Sequence, residues 1–82
     1  SFPAKHKFKL AALFLLAEGF NQDCRYTEKE VNAIIESKST YSDTPLLRRE
    51  LVDCGFLLRE RDGSAYWKNP TQPDAEELIP TA

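Results

Sequence analysis

A chain of 82 residues forms one small domain with a limited core, and a hydrophobic share of 41% with 11% aromatics excludes general disorder. The formal net charge of -2 excludes a globally cationic polyanion binder, but the charge is uneven. All eleven basic residues fall between Lys5 and Lys68 with ten of the thirteen acids, a local balance of +1, while Asp74, Glu76 and Glu77 make the last fourteen residues acidic. Any nucleic-acid contact must therefore come from a local patch. No apolar run reaches the ~18 residues that cross a bilayer, and no small-residue cleavage site follows Lys5, Lys7 and Lys9, so no membrane association is expected. Cys24 and Cys54 lack metal-ligand spacing and read as free thiols of a cytoplasmic protein, a bridge between them being the alternative. With no methionine in the chain, Ser1 is not expected to be a native start.

In chain order, the first helix is predicted over Lys5–Phe20. Its middle, Leu10 to Ala17, is apolar all the way round, which requires cover on several sides. Two readings follow: a central helix wrapped by its own domain, or a helix whose face of Leu10, Leu13, Phe14 and Ala17 meets a second subunit, a neighbouring domain or the C-terminal tail. Asn21-Gln22-Asp23 marks the exit. Thr27 with Glu30 three residues on is a capping box, flanked by Tyr26 and Val31 as a hydrophobic staple. Val31, Ile34 and Ile35 then carry a second helix to about Glu36 or Ser37. Tyr26 is placed to pair briefly with a later strand.

The hydroxyl-rich stretch Ser37–Asp43 suits a turn, and Thr44 is expected to cap a third helix with Pro45 in its first position. Leu47, Leu51 and Cys54 mark that helix's buried side, Arg49 lies opposite, and Gly55 supplies a left-handed stop. Two short strands, from Phe56 to Arg61 and from Ala65 to Lys68, flank Asp62-Gly63, the dipeptide favoured by a two-residue type I′ turn. Such a turn pairs Arg59 with Tyr66 and Leu58 with Trp67, whereas a bulged loop shifts that register. The expected fold is α+β and mostly helical: three helices followed by a two-stranded β-hairpin wing, a winged helix-turn-helix-like domain over residues 1–68. Residues 69–82 form an acidic, proline-containing tail, partly flexible.

The phrases Tyr26-Thr27-Glu28-Lys29-Glu30-Val31-Asn32, Leu47-Arg48-Arg49-Glu50-Leu51-Val52-Asp53, Gly55-Phe56-Leu57, Arg59, and Asp62-Gly63-Ser64 followed by Tyr66-Trp67 resemble one family, as does the Phe2-Pro3 start. It is a small bacterial domain of unknown function, often C-terminal to a helix-turn-helix module in transcription regulators. The resemblance covers about Phe2 to Lys68. This chain departs from it between Ser39 and Pro45, where its loop is longer. The resemblance implies a winged-helix-like fold and a regulatory context, with no assigned activity, ligand or functional residues.

For function, the residues offer DNA binding first. The third helix would enter the major groove with Arg49 and Arg48 donating to guanine or phosphate, Thr44 and Ser42 meeting phosphate at its start, and Arg59, Arg61 and Lys68 charging the wing. The bland alternative is that Arg48 and Arg59 tie helix to hairpin through Asp53, Glu50 or Glu60. The second function is a dimerisation or docking module, as a homodimer or against an adjacent domain of the same protein, because fold alone does not assign function. Catalysis is not expected: His6 is the single histidine, among lysines, no phosphate loop or nucleophile elbow occurs, and Cys54 falls on the core side. Neither a cofactor nor a metal is implied.

Overall fold

The computed structural model of the protein describes residues 4–39 and 43–74, with side chains from Lys9 onward. Three helices, α1 (Ala4–Ala17), α2 (Glu28–Lys38) and α3 (Thr44–Asp53), combine with three short strands, β1 (Arg25–Tyr26), β2 (Leu57–Arg59) and β3 (Tyr66–Lys68). The fold is α+β and mostly helical, in an arrangement compatible with a winged helix. The expected hairpin is joined by a third strand, because β1 pairs antiparallel with β3 and the sheet order is β1-β3-β2. That third strand is where Tyr26 was expected to pair, opposite Tyr66.

α1 ends at Ala17, three residues before the expected end at Phe20, and three successive i→i+3 hydrogen bonds carry the chain through Glu18 to Phe20. Asp23 then adopts a positive φ of 63°, a conformation that Asp tolerates at a turn. The Asn21 amide donates to the Tyr26 hydroxyl at 2.8 Å, which fastens this exit to β1. α2 begins on the predicted capping box: Thr27 Oγ1 accepts from the Glu30 amide at 3.1 Å, and Glu30 Oε1 accepts from the Thr27 amide at 2.8 Å. It runs one or two residues past the expected end, to Lys38, whose charge suits the negative pole of the helix.

At α3 the cap is Asp43, whose carboxylate accepts from the Leu46 amide at 3.2 Å, so Thr44 lies inside the helix and not at its cap. Its other end has the expected left-handed glycine. Gly55, with φ 86°, donates to the Val52 carbonyl (3.0 Å) and Phe56 donates to that of Leu51 (2.9 Å), the paired bonds of a Schellman motif. Phe56 is thereby delivered straight into the core.

The hairpin has the register of a two-residue loop, with Leu57 opposite Lys68, Leu58 opposite Trp67 and Arg59 opposite Tyr66. The turn itself is different. Glu60 pairs with Ala65, the Glu60 carbonyl accepts from the Gly63 amide, and Arg61 to Ser64 form a four-residue connection. A type I′ turn needs positive φ at both Asp62 and Gly63, and only Gly63 has it, at 77°. Asp62 instead accepts from the Ser64 amide at 2.9 Å. Adding one residue to each side of the loop preserves the register, so the strand faces are unaffected.

One core joins these elements: Leu10, Leu13, Leu16 and Ala17 of α1, Phe20 just beyond it, Val31 and Ile35 of α2, Leu51 of α3, Phe56 at the α3–β2 junction, and Leu57 and Tyr66 of the sheet. Phe14 meets Phe56 edge-on with ring centroids 4.8 Å apart. The expected partner face of α1 is therefore corrected: Leu10, Leu13 and Ala17 are buried within the domain, and Phe14 is half-buried against it. The core-helix reading is the one realised on that side, because α2, α3 and Phe56 pack against α1 there. After β3 the chain turns back. Asn69 donates from its amide to the Phe56 carbonyl and from its side chain to that of Gly55, and Gln72 Nε2 donates to the Phe56 carbonyl at 2.9 Å. The start of the expected flexible tail is thus fastened over the α3–β2 junction through Gln72. The side chain of His6, Ser42, and the rest of the tail beyond Asp74 lie outside the described residues.

Candidate functional site

Of the seven residues expected to meet DNA, Arg48, Arg49 and Arg59 share one groove, Thr44, Arg61 and Lys68 stand outside its lining, and Ser42 is not among the described residues. Thr44 is only 8% exposed and its hydroxyl lies 3.4 Å from Glu36 Oε2, which removes it from any surface contact. Arg48 has an 18% exposed side chain; it donates to Asn32 Oδ1 and sits 3.6 Å from Glu28 Oε1. It binds α3 to α2, and not helix to hairpin through Asp53, Glu50 or Glu60 as the alternative had it. Arg49 is 79% exposed and within 3.7 Å of Asp53 one turn on. Lys68 is half-buried and lies beside Leu57, on the core side of the sheet and away from the hairpin tip. Arg59 and Arg61 are exposed, and among the described residues neither has an ion-pair partner. The expected acids are used elsewhere: Glu50 holds Lys9 at 2.7 Å, and Glu60 holds Arg25 at 2.7 Å.

Between α3, the start of α2 and the sheet lies an open groove of about 660 Å³. Its charged lining is Arg48, Arg49 and Arg59 against Glu28, Asp43 and Asp53, with Pro45, Leu46, Val52 and Tyr66 between them. Cations and anions are therefore equal in number. Glu28 is held in place by the Tyr66 hydroxyl, which donates to it at 3.2 Å, as well as by Arg48. On the outer sheet face Arg25 stacks 4.5 Å from the Trp67 ring, with Leu58 on the other side of Trp67. That guanidinium is already engaged by both the indole and Glu60.

A second groove, of about 520 Å³, runs along the outward side of α1. Ala12, Leu15, Leu16 and Leu47 form its apolar part, and Lys9, Glu18 and Lys38 its charged rim. Leu15 is 64% exposed, more than Leu46 or Leu58. The outward stripe of α1 is Ala11, Ala12 and Leu15, with Glu18 just beyond its end. Sequence periodicity could not single it out, because the helix is apolar on every side.

Two titratable groups depart from their ordinary behaviour. Burial, followed by the charges of Glu50 and Asp53, pushes the half-buried Cys54 thiol up, with Lys9 opposing. Such a thiol is a poor nucleophile. The Ser64 hydroxyl and amide hold the Asp62 carboxyl below the usual carboxylate range, which stabilises the hairpin turn. Cys24 and Cys54 are both free thiols. Among the described residues no three His, Cys, Asp or Glu side chains are grouped to hold a metal ion, and no helix is long and apolar enough to cross a membrane.

No curated protein and no solved structure matches the chain. A family profile described as "Uncharacterized protein conserved in bacteria (DUF2087)" does, over residues 1–68, so the bacterial unknown-function family resembled by the sequence motifs is the one found. The chain belongs to that family.

Proposed function

We propose that this domain is a non-catalytic assembly module of a bacterial transcription regulator, one that docks protein through α1 and does not read DNA through α3. The observation that carries this reading is the charge balance of the α3 groove, three cations against three anions. A recognition helix lies in the major groove with phosphates along both sides, so its ends and flanks need cations or amide donors. α3 carries an exposed carboxylate at each end, Asp43 and Asp53, and its most exposed cation, Arg49, is already beside Asp53. Arg48 is committed to α2. On the other side of the molecule, Leu15 stands in water at the edge of an apolar groove.

One observation favours a second reading, DNA contact by the wing. Arg59 and Arg61 are exposed and have no ion pair among the described residues. Two phosphate contacts would give a salt slope of only about -2 in log K against log salt, far below that of a dedicated DNA binder. The two readings separate in one titration. A labelled mixed-sequence duplex is titrated with the domain, and with Arg59→Glu/Arg61→Glu, at low and moderate salt. The assembly reading expects no binding to the duplex at either salt. Binding at low salt that the variant loses would replace it with DNA contact through the wing.

A further inference from the structure

The charges that line the groove between α3 and the sheet balance in number but are not used evenly. Each carboxylate has a close partner. Glu28 accepts from the Tyr66 hydroxyl at 3.2 Å and lies 3.6 Å from Arg48, Asp43 accepts from the Leu46 amide at 3.2 Å, and Asp53 lies 3.7 Å from Arg49. Arg48 and Arg49 are thereby matched. Arg59 is exposed and, among the described residues, has no ion pair. It stands opposite Tyr66 in the strand register, so the two side chains share one face of the sheet, and both line the groove. The wall beside them is fixed, because Tyr66 is buried and Arg48 is held by Asn32 and Glu28. From the other side α3 contributes an apolar strip of Pro45, Leu46 and Val52, with Leu46 43% exposed.

We infer that this groove is a binding site for a small apolar monocarboxylate, with Arg59 holding the carboxylate and Leu46 and Val52 the apolar body. A guanidinium without a partner takes a carboxylate through two parallel hydrogen bonds. A second negative charge on the ligand would meet Asp43 or Asp53 in the same lining, which selects against polyphosphates and other polyanions. A cation finds every carboxylate of the lining already engaged. The volume of about 660 Å³ is that of a small-molecule site. This inference goes beyond the assembly reading and is independent of it, since α1 contributes no residue to the groove.

The test is an NMR titration of the isotope-labelled full chain with sodium octanoate up to ~20 mM, with octylammonium and the dicarboxylate suberate as parallel arms. Octanoate should shift the amides around Leu46, Val52, Arg59 and Tyr66 and saturate with a Kd on the order of 1 mM. Octylammonium and suberate should each bind about tenfold more weakly or worse. Arg59→Gln should weaken octanoate by about tenfold and Leu46→Gln by about threefold. Arg61→Gln, which alters an equally exposed arginine outside the lining, should leave octanoate binding unchanged and so controls for net charge. The amide spectrum of each variant shows directly that its fold is retained. Failure of octanoate to saturate by ~20 mM overturns the inference. So do shifts confined to residues outside the groove, octylammonium binding as tightly as octanoate, or equal losses in Arg59→Gln and Arg61→Gln. Each of these failures leaves the assembly reading standing, because that reading is decided by the duplex titration and not by this groove's ligand.

Discussion

Replacing Arg48 with alanine tests whether this side chain is a fastening between helices or a free cation for a ligand. Its guanidinium is mostly buried, donates to Asn32 Oδ1 and lies 3.6 Å from Glu28, so the substitution removes a charged hydrogen bond that spans α3 and α2. Such a bond contributes about 1.5–3 kcal/mol. The Glu28 carboxylate is about half exposed and keeps the Tyr66 hydroxyl, so the ion pair itself adds less than ~1 kcal/mol after solvent screening. The buried aliphatic stem contributes packing as well. A loss of about 2 kcal/mol is expected, which in a domain of this size lowers Tm by roughly 8–16 °C. Far-UV circular dichroism melts measure it, and a double-mutant cycle with Asn32→Ala should give a coupling of about 1 kcal/mol that persists at high salt. A melting temperature within ~2 °C of wild type, or no coupling to Asn32, would show that Arg48 is not a fastening and would return it to the DNA candidates.

Three further outcomes follow from the same geometry. Gly55→Ala should cost about 1–2 kcal/mol in urea denaturation, because φ is 86° there while a Cβ would meet only Pro73 Cγ at 3.8 Å, so the cost is conformational and not steric; an unchanged midpoint would contradict this. Ser64→Ala should raise the Asp62 titration, followed by carboxyl NMR, toward the ordinary range. Asp62 contributes to stability above the ordinary carboxylate value and loses that contribution as pH falls through its lowered one; an unmoved titration would refute the Ser64 assignment. Cys54 should alkylate more slowly than an unfolded thiol at mildly alkaline pH. Its neutral form favours the fold below the ordinary thiol value, and that contribution is lost as pH rises through the raised one. Cys54→Ser should flatten this alkaline loss, and a variant with the same alkaline profile as wild type would rule Cys54 out as its source.

Local signals in the sequence were legible where one short segment determines the outcome. The Thr27/Glu30 box and the Gly55 stop each depend on neighbours within a few residues, and each formed as read, while the strand register, left open between two turns, took the one that pairs Arg59 with Tyr66. At the start of α3 two adjacent residues could both cap, and Asp43 took the position because its carboxylate reaches the Leu46 amide. The turn at Asp62-Gly63 changed type because Ser64 offered Asp62 a donor, yet the register survived because both loops have an even length. Long-range side-chain pairing was not legible. Nothing near Arg48 in the sequence points to Asn32 or Glu28, which only the packing of α2 on α3 brings within reach. The outward side of α1 was hidden for a different reason. Where every position is apolar, burial is decided by which neighbours exist, and these left Leu15 outside and Leu10, Leu13 and Ala17 inside.

The central claim is that this domain docks protein and does not read DNA through α3. Its most direct test is the titration of a labelled mixed-sequence duplex with the wild-type domain beside Arg59→Glu/Arg61→Glu, at low and moderate salt. The account predicts no binding at either salt. Salt-sensitive binding, whether or not the variant loses it, would contradict it.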